Sequence, residues 1–136
     1  MQRGFSLLET IIATGLIVAA LVTLAHLLAI GVQAGAAARI RTMSALLAGR
    51  KMEELRARTW EAVLGDGRES AEYFDGRGSR VCGDAPMPCG SAAYACRWSA
   101  EPAAFNANVL VIEVDVAAIA TRAGSTTLVS ARSRKR

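Results

Sequence analysis

One acid stands almost alone near the start of this sequence. Glu9 is followed by TIIATGLIVAALVTLAHLLAIGVQAGAAA, and from Thr10 to Ala38 the only side chain able to carry charge is His26. A carboxylate at the centre of a membrane helix costs roughly 2.5–3.5 kcal/mol on insertion scales, and less near a helix end. Such a group marks a functional site by default, and it needs a partner. A cut between Gly4 and Phe5 creates one, because the new amine of Phe5 lies one helical turn from Glu9 in its own chain or in a neighbour's. The chemistry this pattern suits is charge pairing.

Other reactive residue types are sparse. Cys82, Cys89 and Cys96 are spaced seven apart, no close cysteine pair occurs, and the single histidine lies in the apolar run. That spacing argues against a metal site. In an exported chain a disulfide is the better reading, and the pairings Cys82–Cys89, Cys89–Cys96 and Cys82–Cys96 all stay open. Asp66, Glu69, Glu72 and Asp75 lack the ligand spacing and glycine of a calcium loop and read as solvated acids. With no histidine outside the apolar run and no Gly-x-Ser-x-Gly, the chain is not expected to be an enzyme, and no cofactor is called for.

The element that must position Glu9 is the apolar run. At 1.5 Å per residue, about 20 residues cross the hydrocarbon core of a bilayer, and this run exceeds that. A secretory signal peptide would have a shorter apolar core of about 7–15 residues followed by a cleavage site. A plain signal anchor explains the hydrophobicity but neither Gly4-Phe5 nor Glu9. The charge count does not decide orientation, since Arg3 precedes the run and Arg39 and Arg41 follow it.

Arg3-Gly4-Phe5-Ser6-Leu7-Leu8-Glu9 resembles the processing site of type IV prepilins and type II secretion pseudopilins. The resemblance implies that prepilin peptidase removes a leader ending at Gly4 and N-methylates Phe5. It implies that Glu9 pairs with the N-terminal amine of an adjacent subunit. It further implies a single-pass protein of the bacterial inner membrane, with its N-terminus cytoplasmic and its C-terminal domain periplasmic, that later enters a pilus or pseudopilus filament at the cell surface. The implied partners are the peptidase, other pilins or pseudopilins, the inner-membrane assembly machinery and membrane lipid. The stretch from Ala45 to Arg56, with its Lys51-Met52-Glu53-Glu54-Leu55 run followed by Trp60, is similar to PilV-type minor pilins and I-type pseudopilins. Many major pilins carry a proline in mid-helix, whereas this chain has none before Pro86. The competing reading is a monomeric, inner-membrane-anchored, exported binding module, with Gly4 uncut.

The expected organisation is a leader over residues 1–4, a membrane and assembly half-helix over 5–33, an amphipathic half over 34–58, and a small globular domain over 59–136. Ile40, Met43, Leu47 and Leu55 fall on one helical face, with Leu46 and Met52 flanking it and Arg39, Arg50, Lys51 and Glu53 mostly elsewhere. Glu54 and Arg58 form an i,i+4 pair. Gly31 and Gly35 permit either close helix approach or local flexibility. Residues 64–90 read as loop or hairpin, with turn signals at Asp75-Gly76 and Gly83-Asp84. Strands follow from alternation: Tyr94, Cys96 and Trp98 share one face, and Leu110, Ile112, Val114 and Val116 share another, with a third strand over 126–130. The expected fold is α+β and type IV pilin-like, a long N-terminal helix laid on a small antiparallel meander. The formal net charge is +4, and Arg132, Arg134, Lys135 and Arg136 read as a solvated basic tail. No aromatic residue interleaves with them, so nucleic acid is not indicated.

Overall fold

The computed structural model describes residues 6–65, 70–83, 88–121 and 124–134. Helix α1 spans Leu7–Ala57 and α2 spans Trp60–Gly65. Five strands follow: β1 Ser70–Phe74, β2 Arg80–Gly83, β3 Tyr94–Ala103, β4 Asn106–Ala118 and β5 Thr126–Ser133. The chain divides into two compact units, one ending at Ala36 and the other beginning at Ala37.

In the first unit every described residue is exposed. Leu7 is 78% accessible and Val32 74%, so the apolar surface is unpartnered among the described residues. The Thr14 hydroxyl donates to the Thr10 carbonyl at 2.7 Å and the Thr23 hydroxyl to the Ala19 carbonyl at 2.8 Å. Their polar atoms are thereby satisfied without water, as a lipid environment requires. α1 is, among the described residues, one helix long and apolar enough to cross a membrane.

The second unit is a two-layer α+β packing. Leu47, Ala48, Met52 and Leu55 of α1 cover one face of the sheet and meet Cys96 and Trp98 of β3 and Leu110, Ile112, Val114 and Val116 of β4. All four β4 residues have no accessible surface. Period-2 alternation produces this directly: each second residue of β3 and β4 faces the helix, and the residues between face outward. The layout of a long helix on an antiparallel sheet is like that of type IV pilins.

Three details refine the sequence reading. The sheet has the order β2-β1-β3-β4-β5: β3, β4 and β5 form the expected meander, and two further strands extend it beyond β3. β1 inserts beside β3, and β2 folds back to the outer side of β1. Second, residues 64–90, read as loop or hairpin, hold the β1–β2 hairpin as well as the end of α2. β1 was masked in the sequence by its composition, because Glu72 alternates between Ala71 and Tyr73 instead of an apolar residue. Third, Met52 is buried while Leu46 is 65% exposed. The buried stripe is therefore rotated slightly from the one drawn through Ile40 and Met43, which are only partly buried against the core.

Two hairpin turns fasten α1 at the start of this unit. Gly78, between β1 and β2, has φ +83°, and a Cβ there would lie 3.6 Å from the Met43 sulfur. Gly124, before β5, has φ +112°, and a Cβ there would lie 3.0 Å from Ile40 Cγ2. Left-handed backbone selects glycine at both turns, and close approach to the helix adds to it at Gly124.

Candidate assembly site

Gly4 and Phe5, the proposed cleavage and methylation positions, lie outside the described residues. Glu9 is in the first turn of α1. Its backbone N–H donates to the Ser6 carbonyl at 2.9 Å, and that of Thr10 donates to the same oxygen at 3.2 Å. A carboxylate in the first turn is favoured by the helix dipole. The described part of this unit contains no Lys or Arg. Among those residues no full counter-charge for Glu9 is present. What the arrangement can do is present one acid on an exposed apolar rod to a cation on another surface.

A second polar constellation escaped the sequence reading. Lys51 is 2% exposed, although helical periodicity placed it off the apolar face. Its Nζ donates to Glu72 Oε1 at 3.1 Å and to both Glu54 oxygens at 3.3 Å. It also stands 3.8 Å from the centre of the Trp98 ring. Glu72 accepts a further bond from Arg80 Nη1 at 3.3 Å, and Arg58 Nη2 reaches Glu54 Oε1 at 2.8 Å. An open cleft of about 170 Å³ lies beside the network, bounded by Arg50, Phe74 and Arg80. The overlooked signal was the i,i+4,i+8 row Leu47, Lys51, Leu55, which puts the lysine between two core leucines. Burial is tolerated because carboxylates and an aromatic face meet the ammonium.

Partial burial raises the Glu54 carboxyl, but the charges and hydrogen bonds of Lys51 and then Arg58 outweigh it and hold the group below its ordinary 4.5. Asp75 is also held below its ordinary 3.8, because its carboxylate accepts the backbone N–H groups of Ser79 and Arg77 in the β1–β2 turn. Both folded-state values lie below the unfolded ones, so the unfolded chain binds more protons on acidification. The stability these groups contribute is complete above pH 4.5 and is lost as pH falls through 3.8 and below. Thermal melts of the protein in detergent should therefore show a midpoint that declines on acidification through this window. The decline should be smaller in an Asp75→Asn variant.

Of the three pairings left open by the cysteine spacing, the structure forms Cys82–Cys89 and leaves Cys96 free and buried. Cys82 sits opposite Tyr73 across the β1–β2 pair. The connection then returns to the sheet where the Ala93 N–H donates to the Phe74 carbonyl at 2.7 Å. The bridge thus ties an edge strand to the crossing that β2-β1-β3 order demands. Cys96 faces the core of β3, where burial pushes its thiol up to about 12 and makes it unreactive. Closing so short a loop stabilises by about 2–3 kcal/mol in the chain-entropy model. A Cys82→Ser/Cys89→Ser variant should lose that amount in urea unfolding. Thiol titration of the native wild-type protein should find no reactive thiol until denaturant exposes Cys96.

Comparison of the chain with protein-family models, curated proteins and solved structures gives no match.

Proposed function

We propose that this chain is a minor pilin or pseudopilin subunit of a type IV pilus or type II secretion filament. On this reading prepilin peptidase processes it between Gly4 and Phe5, and it acts in assembly, initiation or the tip complex. The observation that carries the reading is the coincidence of Gly4-Phe5 and Glu9 with the very start of a membrane-length helix that exposes apolar side chains on every side. The pilin-like layout of the second unit supports it.

The physics of the function is exchange of lipid for protein. Before assembly the apolar half of α1 rests in the inner membrane. In a filament, such helices pack against one another, and Glu9 is neutralised by the Phe5 amine of a neighbour. Because an unpaired charge in that setting is costly, the pairing selects one axial offset between subunits.

The test is the intact mass and N-terminal sequence of the protein from membranes, with and without the host's prepilin peptidase. Peptidase-dependent loss of Met1 to Gly4, with one methyl group on Phe5, is the expected result. A chain beginning at Met1 in both hosts removes the filament reading and favours the anchored binding module.

A further inference from the structure

Arginines at the two ends of the second unit have different surroundings. Where α1 ends, they are engaged within the chain. Arg56 Nη1 reaches Glu53 at 3.0 Å, Arg58 Nη2 reaches Glu54 at 2.8 Å, and Arg134 Nη2 reaches Glu61 at 3.2 Å. Arg132 Nη1 donates to the Arg58 carbonyl at 2.7 Å. Where α1 enters the unit, the exposed Arg39, Arg41 and Arg77 have no such partner. Among the described residues none of their guanidinium groups pairs with an acid or donates a hydrogen bond. The acid beside Arg77, Asp75, is occupied by the backbone N–H groups of Arg77 and Ser79, each at 2.8 Å.

The fold sets these three arginines at one height on α1. The β1–β2 turn is seated at Met43, where a Cβ on Gly78 would lie 3.6 Å from the sulfur, and Arg77 is the residue before that glycine. The β4–β5 turn is seated at Ile40 and Arg41, where a Cβ on Gly124 would lie 3.0 Å from Ile40 Cγ2 and 3.5 Å from Arg41 Cγ. From Arg39 to Met43 the helix rises only about 6 Å. Arg39 and Arg41 are about 200° apart around the helix, so they flank it on opposite sides. Ile119, 42% exposed just after β4, adds an apolar side chain to the same end.

That height coincides with the edge of the apolar run. Residues 10–38 carry no charge apart from any on His26, and as helix they extend about 43 Å. A bilayer is about 30 Å thick across its hydrocarbon and about 40–45 Å with its headgroups. A run of this length, spanning upright, ends among the headgroups, and Arg39 is the first residue beyond it. On the orientation implied by the motif this is the exported side, where the positive-inside bias supplies no reason for arginine.

We propose that Arg39, Arg41 and Arg77 form a collar that binds anionic phospholipid headgroups and seats the β1–β2 and β4–β5 turns on the membrane surface. The proposal rests on the reading of α1 as a membrane span. Guanidinium groups suit this ligand because their planar N–H donors match phosphate oxygens. The span itself holds the three groups in the phosphate layer, so the ligand is present at high effective concentration. The phosphates supply the counter-charges that the chain does not.

Purified full-length protein in mixed phosphatidylcholine–phosphatidylglycerol vesicles tests this. A fluorophore on Ser125→Cys, beside Gly124, should be quenched strongly by headgroup-spin-labelled lipid. One on Phe105→Cys, at the opposite end of β4, should not. The native cysteines are bonded or buried and take no label. Lipid co-purified in mild detergent should be enriched in phosphatidylglycerol over the input by at least about fivefold. Arg39→Gln/Arg41→Gln/Arg77→Gln should return that ratio to the input value, whereas Arg39→Lys/Arg41→Lys/Arg77→Lys should keep most of the enrichment. Co-purified lipid at the input ratio overturns the proposal. So does enrichment that survives the triple glutamine variant, or equal quenching of the two labels. Release of the protein from vesicles by alkaline carbonate would be a distinct failure, that of the span, and would remove the proposal with it.

Discussion

On the pilin-subunit reading proposed above, a Glu9→Ala chain is expected to insert in the membrane and be cut normally, yet to be depleted at least about 100-fold from filaments or their initiating complexes. Insertion improves, if anything, because the substitution removes the one acid from the apolar run. Assembly suffers because the Phe5 amine of each neighbour would be left unpaired in an apolar contact. Removing one partner of a desolvated ion pair costs about 3–5 kcal/mol, and 1.4 kcal/mol is about tenfold in an equilibrium. Glu9→Gln keeps the shape and loses the charge, so it should behave like Ala. Glu9→Asp keeps the charge on a shorter arm and should be partly active. The measurement is the ratio of subunit in sheared filaments, or in co-purified complexes, to subunit in the membrane pool. Incorporation of Glu9→Ala at the wild-type level would exclude Glu9 from assembly and, with correct processing, would leave the peptidase motif as its own separate finding.

The largest stability effect is expected at Lys51. Lys51→Ala should destabilise the second unit by about 3 kcal/mol, the lower end of the range for breaking a buried pair. Glu72, whose side chain is 11% exposed, loses its 3.1 Å partner and keeps only the more exposed Arg80. The aliphatic stem and the ammonium over Trp98 are lost with it. The comparison that isolates charge from packing is Lys51→Met combined with Glu72→Leu. Replacing both members of a buried pair with apolar residues of similar volume is often neutral or stabilising, so the double variant should recover most of the loss. Urea unfolding of the full-length protein in detergent, followed by tryptophan fluorescence, measures each step. A Lys51→Ala loss below about 0.5 kcal/mol, in the range of ordinary surface substitutions, would mean that the pair is effectively solvated.

The two effects belong to different layers of legibility. Glu9 was visible because an acid in an uninterrupted apolar run conflicts with its surroundings, and a conflict of that kind is local to the sequence. Lys51 was invisible for the opposite reason. On an amphipathic helix rich in Arg, Lys and Glu, one more lysine conflicts with nothing, and its burial depends on Glu72 and Trp98 arriving from strands 21 and more residues away. The outward half of the Glu54 network, its pair with Arg58, needed only an i,i+4 count and is present at 2.8 Å.

The sequence by itself determined the apolar helix, its continuation to Ala57, and the buried faces of β3 and β4. The first rests on an uninterrupted apolar length and the others on periods of 3.6 or 2, and all survive without knowing any neighbour. Tertiary structure decided the rest. The position of β1 between β2 and β3 was set by pairing across distance, since Glu72 hides its strand until Lys51 neutralises it. The choice of Cys82–Cys89 over two other pairings followed from the crossing that this strand order imposes, which carries Cys89 back to the edge strand and leaves Cys96 in the core. The meeting of Arg77 with Arg39 and Arg41 at one height is likewise a property of the assembled unit, because it depends on the Gly78 turn being seated against Met43. The seat of a turn against a helix is fixed by the strands on either side of it, and no period within the turn announces it.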